Sequence, residues 1–131
     1  MKVGIDTNVL IELFKQSEKV DDLIEIGCCL YTYNKCLWEM VKYVRDLNLK
    51  DSYTERIVAD FIEENKIKII NMGVLKANAK GFEKKCLEKG IDCHSPDSEI
   101  ILAFKEDGMD IIWSQEINLK KAAKLLVMES V

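Results

Sequence analysis

The sequence predicts an α/β protein with a mostly parallel sheet of roughly five strands. Short apolar runs alternate along the chain with longer segments whose apolar residues recur every three or four positions. Such alternation of strands and helices favours parallel pairing, because each helix carries the chain back across the sheet. Helices then cover both faces, so we expect a three-layer sandwich formed by a single domain, residues 1–131.

The first strand and helix are the elements around which the other predictions are arranged. Residues 3–5 are apolar and predict a buried strand, and the apolar residues after position 8 recur at helical spacing. Between them, Asp6, Thr7 and Asn8 supply turn and helix N-cap chemistry. Asp6 therefore ends a strand where a helix begins, and in open α/β sheets ligands bind at that end. A helix cap is the commoner role for such a residue, and both roles stay open.

The other elements follow from the same patterns. Strands are predicted at residues 28–32, 67–70, 110–113 and 125–128. Helices are predicted at residues 18–26, 35–47, 52–64, 73–89 and 119–126. A further helix begins at Ser95–Pro96, with Ser95 as N-cap and Pro96 in the first turn.

Composition limits the classes of function. The net charge of −4 argues against nucleic-acid binding through overall attraction, although it leaves room for a local basic face. Charges interrupt every apolar run, so we expect neither a transmembrane helix nor a signal peptide. The five cysteines and the single histidine, His94, do not match a zinc-site spacing. Reduced, mostly buried thiols in a cytoplasmic protein are the interpretation that this favours.

Four acidic residues are placed where they can face one end of the sheet. Asp6 ends the first strand, Glu39 lies early in the helix after the second, Asp97 begins a helix, and Glu116 follows the fourth strand. Carboxylates are the hard oxygen ligands that Mg²⁺ and Mn²⁺ prefer. Each acid also has an ordinary interpretation. Glu39 and Glu116 are explained as solvated charges or caps, and Asp97 as a residue favoured by the helix dipole.

The motifs around these acids resemble the PIN-domain family, metal-dependent ribonucleases that include the VapC-type toxins. The strand followed by Asp-Thr-Asn is similar to the family's opening, and Glu39 stands where the family has a glutamate. Residues 97–103, Asp-Ser-Glu-Ile-Ile-Leu-Ala, resemble its Asp-x-x-Ile-x-Ala helix. Residues 111–116 resemble its strand ending in Thr/Ser-x-Asp, with the difference that Glu116 replaces the usual aspartate.

The resemblance implies a specific set of properties. These are a strand order of 3-2-1-4-5, RNA as substrate, homodimerisation, and an antitoxin partner in the VapC-type branch. It also implies that Asp6, Glu39, Asp97 and Glu116 bind Mg²⁺ or Mn²⁺ and activate water for attack on an RNA phosphodiester. We expect Ser114 to bond one of the metal-binding carboxylates and Thr7 and Asn8 to do the same near Asp6. We expect Glu99 to point elsewhere.

Candidate RNA contacts are weaker. Lys120, Lys121 and Lys124 cluster soon after Glu116, and a second lysine stripe, Lys76, Lys80 and Lys84, follows helical spacing. A solvated helix face explains the stripe equally well. Trp38 and Trp113 have the chemistry to stack on bases, but core packing is the commoner fate of a tryptophan.

Two other functions remain open. One is a PIN-fold binding or scaffold module, in which Glu116 does not support productive metal binding. The other is a haloacid-dehalogenase-type phosphatase with Asp6 as nucleophile, although that chemistry usually requires a second acid where this chain has Asn8.

Overall fold

Short strands and amphipathic helices alternate through the computed structural model, which describes residues 1–16, 18–47, 51–71 and 73–131, without the side chains of residues 51 and 52. The strands are β1 (Lys2–Ile5), β2 (Cys29–Tyr33), β3 (Lys68–Ile70), β4 (Ile111–Trp113) and β5 (Glu129–Ser130). The helices are α1 (Thr7–Lys15), α2 (Glu18–Glu25), α3 (Asn34–Arg45), α4 (Asp51–Glu64), α5 (Lys76–Glu88), α6 (Asp97–Glu106) and α7 (Ile117–Leu125). None of the helices in these ranges is long and apolar enough to cross a membrane.

All strand pairs are parallel, and the order across the sheet is β3-β2-β1-β4-β5. This confirms the predicted α/β class and strand order. β1 is central: Val3 is in register with Leu30 on one side and with Ile111 on the other. The carboxyl ends of β1, β2 and β4 therefore meet at the same edge of the sheet.

The core is divided by the sheet into two apolar layers. Val3 and Ile5 belong to the layer that also contains buried residues of α1 to α4. Successive residues of a strand face opposite sides, so Gly4 faces the second layer, where Phe104 of α6 lies. Helices thus cover both faces, as expected for a three-layer sandwich.

Gly4 allows α6 to approach the central strand closely. A Cβ atom at this position would lie 2.8 Å from Cγ and Cδ2 of the Phe104 ring, which is closer than side chains tolerate. Because α6 begins at Asp97, this close packing also brings the start of α6 near Asp6, the residue that follows β1.

The starts of α5 and α6 differ from the prediction. Helix α5 begins at Lys76, three residues later than expected. The N-cap of α6 is Pro96 and not Ser95, whose hydroxyl donates a hydrogen bond to Glu99 at 3.3 Å instead. The first turn of α6 still begins with the predicted Asp97.

The predicted strand at residues 125–128 is wrong. Leu125 is the last residue of α7, and Val127 has a positive φ of 58°, which turns the chain before β5 begins at Glu129. Met128 is buried and Val127 is 89% exposed. The apolar run is thus a helix end and a turn, and backbone pairing starts two residues after Val127.

Candidate active site

Asp6 is fixed at the carboxyl end of β1 by hydrogen bonds to both of its oxygens. It is the N-cap of α1, as predicted, because Oδ1 accepts the backbone N–H of Val9 at 3.2 Å. Oδ2 accepts the hydroxyl of Ser114 at 2.5 Å. Asp6 is buried, with 5% of its surface exposed. Each carboxylate oxygen has a second lone-pair direction, so capping leaves acceptor capacity for a ligand.

The four predicted acids meet at one cavity of about 90 Å³. Each is carried by a different part of the edge where β1, β2 and β4 end: Asp6 after β1, Glu39 in α3, Asp97 at the start of α6, and Glu116 at the N-cap of α7. The remaining lining residues are Thr7, Asn8 and Ile100. The structure therefore brings together residues that are far apart in the sequence.

Three polar side chains bond to these carboxylates, although Thr7 and Asn8 do so at Glu39 and Glu116 and not at Asp6, where they were expected. The Nδ2 amide of Asn8 donates to Oε1 of Glu116 at 3.1 Å. Ser114, besides donating to Asp6, accepts the backbone N–H of Glu116 at 2.9 Å, and so joins two of the four acids. A hydrogen bond from Thr7 lowers the pKa of Glu39 and partly offsets the opposing effects of its surroundings.

The cavity favours protonated acids. Desolvation raises the pKa of Asp6, and repulsion by Glu116 and Asp97 raises it further, whereas the bonds from Ser114 and Val9 lower it. The pKa of Glu39 is raised by desolvation of its carboxyl, although the residue as a whole is exposed, and then by Asp97 and Asp6.

Asp97 experiences the same two effects. Desolvation raises its pKa first and the charge of Glu116 second, while His94 lowers it. In the sequence, His94 was considered only as a zinc or thiol partner, and its electrostatic effect on Asp97 was missed, although it lies three residues before Asp97 (97 − 94). We infer that the cavity concentrates negative charge at a cost that a bound cation would remove.

The donor set matches a hard divalent cation. Seven described residues line the cavity, and neither a lysine nor an arginine is among them to neutralise the four carboxylates. Within the described ranges, no three His, Cys, Asp or Glu side chains stand in a ready metal-binding arrangement. Because Glu39 and Glu116 are exposed, rotation of their side chains is available to bring oxygens toward the buried Asp6.

The other predicted residues are placed as follows. Lys120, Lys121 and Lys124 lie on α7 and do not line the acid cavity, while Lys80 and Lys84 line a separate groove with His94. Glu99 points away from the cavity, as predicted, and contacts Lys35 and Ser95.

The two tryptophans differ in their surroundings. Trp113 packs against a core cluster, as expected. The expectation of core packing is wrong for Trp38, which is 64% exposed and lies beside an apolar groove between α3 and α4. Its position on α3, next to Glu39 but off the buried face, accounts for the difference.

Comparison with known proteins supports the fold. No protein-family model matches the sequence, and no curated protein matches it either. The structure is similar to a chain in VapBC-1 from nontypeable Haemophilus influenzae, with a TM-score of 0.75 and 11% identity over 100% of this chain and 97% of that one. A chain in VapBC2 from Rickettsia felis, bound to a DNA fragment from its promoter, gives a TM-score of 0.71 and 13% identity over 100% and 98%.

These similarities cover the whole chain and confirm the PIN-like fold that the sequence motifs implied. At identities of 11% and 13% they define the fold and not the activity. Function therefore has to be argued from the acid cavity.

Proposed function

We propose that this protein is a metal-dependent endoribonuclease that hydrolyses RNA phosphodiester bonds. The observation that carries the proposal is the convergence of Asp6, Glu39, Asp97 and Glu116 on one small cavity whose lining supplies no lysine or arginine. A structural salt-bridge cluster would place cations among the acids. Acids left uncompensated at the carboxyl edge of a parallel sheet fit a site that takes a divalent cation.

The four carboxylates would hold Mg²⁺ or Mn²⁺. When bound, such an ion lowers the pKa of a water ligand and neutralises charge on the phosphate. The Ser114 hydroxyl favours the ionised form of Asp6, and Asn8 orients Glu116 through its amide. Thr7 favours the ionised form of Glu39, so all three residues prepare the acids to bind a cation.

The proposal is tested by incubating a mixed single-stranded RNA pool with the protein and Mn²⁺. We expect cleavage by the wild type, and loss of cleavage with EDTA, Asp97→Asn or Glu39→Gln. Asp22→Asn is a charge-matched control on an exposed face of α2 and should cleave normally. Failure of the folded wild type to cleave any RNA in the pool would refute the proposal.

A second candidate is a PIN-fold binding module without catalysis. Two observations favour it: Glu116 replaces the family's usual aspartate and is tied to Asn8, and no ready metal-binding arrangement is found among the described side chains. This candidate requires that Mn²⁺ does not bind, which calorimetry measures directly. A phosphatase using Asp6 would instead form a phosphoenzyme, detectable after incubation with a labelled phosphate ester.

We further propose that the protein is a cytoplasmic VapC-type toxin that forms a homodimer and is inhibited by an antitoxin. The support is the fold shared along the whole chain with components of two VapBC structures. Expression of the wild type should arrest growth, whereas Asp6→Asn should not. Light scattering should give twice the mass of one chain, and a monomer would contradict the homodimer.

A further inference from the structure

A continuous groove leads away from the acid cavity between α1 and α3. It consists of two open depressions of about 340 and 380 Å³ that share Asn8, Ile11 and Tyr43. The first depression also contains Thr7 and Glu39, which line the acid cavity itself. We name this combined surface the α1–α3 groove. Its size is in the range of about 300–1,000 Å³ that is typical of small-molecule sites.

The centre of the α1–α3 groove is an aromatic ring accompanied by lysines. Tyr43 is half-buried, and Nζ of the exposed Lys15 lies 5.3 Å from the centroid of its ring. Lys42, also exposed, lines the same depression as Tyr43. Proteins that bind single-stranded nucleic acids combine an aromatic face, on which a base stacks, with cationic side chains that contact the phosphates. Tyr43, Lys15 and Lys42 supply this combination.

The acidic residues of the groove are partly neutralised. Glu12 forms an ion pair with Lys19 at 3.3 Å and accepts the side-chain amide of Gln115 at 2.6 Å. Asp46 lines the depression that also contains Lys42. Because Glu39 belongs to the acid cavity, the groove beyond it carries Lys15 and Lys42 against Asp46 and the paired Glu12.

The lysines that the sequence favoured lie elsewhere. Lys120, Lys121 and Lys124 of α7 line neither the acid cavity nor the α1–α3 groove. Lys15, Lys42 and Tyr43 come from two helices that are separated by β2 in the chain, so no local motif joins them.

We propose that the α1–α3 groove binds the nucleotide next to the scissile phosphate of a single-stranded RNA, with its base on Tyr43 and its phosphate between Lys15 and Lys42. This inference rests on the proposed ribonuclease function and names its substrate subsite. An incoming base displaces the Lys15 ammonium from the ring and leaves it free to contact a phosphate. Continuity with the acid cavity places the next phosphodiester of the strand beside the four carboxylates.

The test measures binding separately from cleavage. A fluorescein-labelled single-stranded RNA of mixed sequence is titrated by anisotropy with Ca²⁺ in place of Mn²⁺, and a gel confirms that the RNA stays intact. Tyr43→Ala should weaken binding about 5- to 150-fold, the effect of losing one base–aromatic stack. Tyr43→Phe should retain wild-type affinity, because the ring remains.

A second variant covers the case in which Tyr43→Ala fails to fold. Lys15→Gln with Lys42→Gln alters two exposed side chains, and it should lower the slope of log affinity against log salt by about 1.4. A charge-matched double variant, Lys85→Gln with Lys105→Gln, changes exposed lysines on α5 and α6 and should retain wild-type affinity. If both double variants weakened RNA binding equally, the effect would come from the overall charge of the protein, and the subsite assignment would be overturned.

Three further results separate failure of the subsite from failure of the ribonuclease proposal. If the wild type cleaves RNA with Mn²⁺ but the groove variants bind normally, the subsite assignment is wrong and the ribonuclease stands. Weakening confined to a Lys120→Gln, Lys121→Gln, Lys124→Gln variant has the same meaning and places the RNA on α7. If the wild type neither binds nor cleaves RNA, the proposed function fails and the subsite fails with it.

Discussion

Ser114 offers the sharpest test of how the acid cavity is held together. It is buried, donates to Asp6 at 2.5 Å and accepts the backbone N–H of Glu116 at 2.9 Å. Ser114→Ala removes the donor to a buried carboxylate and leaves that N–H without its acceptor. A hydrogen bond to a charged group contributes about 1.5–3 kcal/mol, and we expect a loss of this order in the free energy of unfolding at pH 7.

The loss should depend on pH, because the Ser114 hydroxyl favours the ionised form of Asp6. Without it, the pKa of Asp6 in the folded protein rises further above its already raised position. The folded state then holds its proton to higher pH than the unfolded state, whose pKa is about 3.9. The stability that a raised acid pKa confers is fully present at pH values below the pKa of the unfolded state. It is lost as the pH rises through the pKa of the folded state. The deficit of Ser114→Ala is therefore smaller near pH 4 than at pH 7.

The assay is urea unfolding of metal-free protein in EDTA at both pH values. Asp6→Asn supplies the control background, because it removes the titrating group. In that background the cost of Ser114→Ala should no longer change with pH. An equal cost at both pH values in the wild-type background would refute the reasoning that Ser114 acts through the charge of Asp6.

Three further outcomes follow from the structure. Gly4→Ala should destabilise the fold by about 1–3 kcal/mol in urea unfolding, since the new methyl group meets Phe104, and Phe104→Leu should restore part of the loss. An unchanged midpoint would contradict the close packing. Mn²⁺ at a hundred times its Kd should stabilise the wild type by about 2.7 kcal/mol in thermal unfolding, and Asp6→Asn should abolish the effect. Asn8→Ala should weaken Mn²⁺ binding about 10- to 100-fold in calorimetry, because Glu116 loses its orienting amide. Unaltered affinity would mean that Glu116 does not bind the ion in that orientation.

The fold could be predicted where local pattern and burial agree. Alternating apolar runs and helical spacing predicted β1, α1 and α3 closely, because each buries one face in the way its periodicity implies. The order of the strands could not be predicted from this alternation, because alternation alone does not specify which strands are neighbours. The correct order was implied by the resemblance to the PIN-domain family. Residues 125–128 show the limit. A short apolar run fits a helix end or a strand equally well, and here tertiary packing of Met128 decides.

The candidate site likewise contains some residues that the sequence located and others that it did not. Asp6, Glu39, Asp97 and Glu116 were candidates because each follows a predicted strand or lies early in a helix, and parallel strands end at one edge. Position alone did not distinguish them from ordinary surface acids, and the resemblance to the PIN-domain family added the weight. The effect of His94 on the pKa of Asp97 was missed although the two residues are three positions apart, whereas the meeting of Lys15 with Tyr43 depends on how α1 and α3 pack. Spacing in the sequence carries no signal for the pair of Lys15 and Tyr43. Trp38 stays exposed because it lies off the buried face of α3.

We propose that the four converging carboxylates form a metal-dependent ribonuclease site. The most direct measurement is the single-turnover rate of cleavage of a labelled single-stranded RNA, recorded against Mn²⁺ concentration for the wild type and for Asp6→Asn. We expect the wild-type rate to rise with Mn²⁺ and to saturate, and the variant to show no cleavage at any concentration while remaining folded. Cleavage that persists in EDTA, or in Asp6→Asn at the wild-type rate, would contradict the claim.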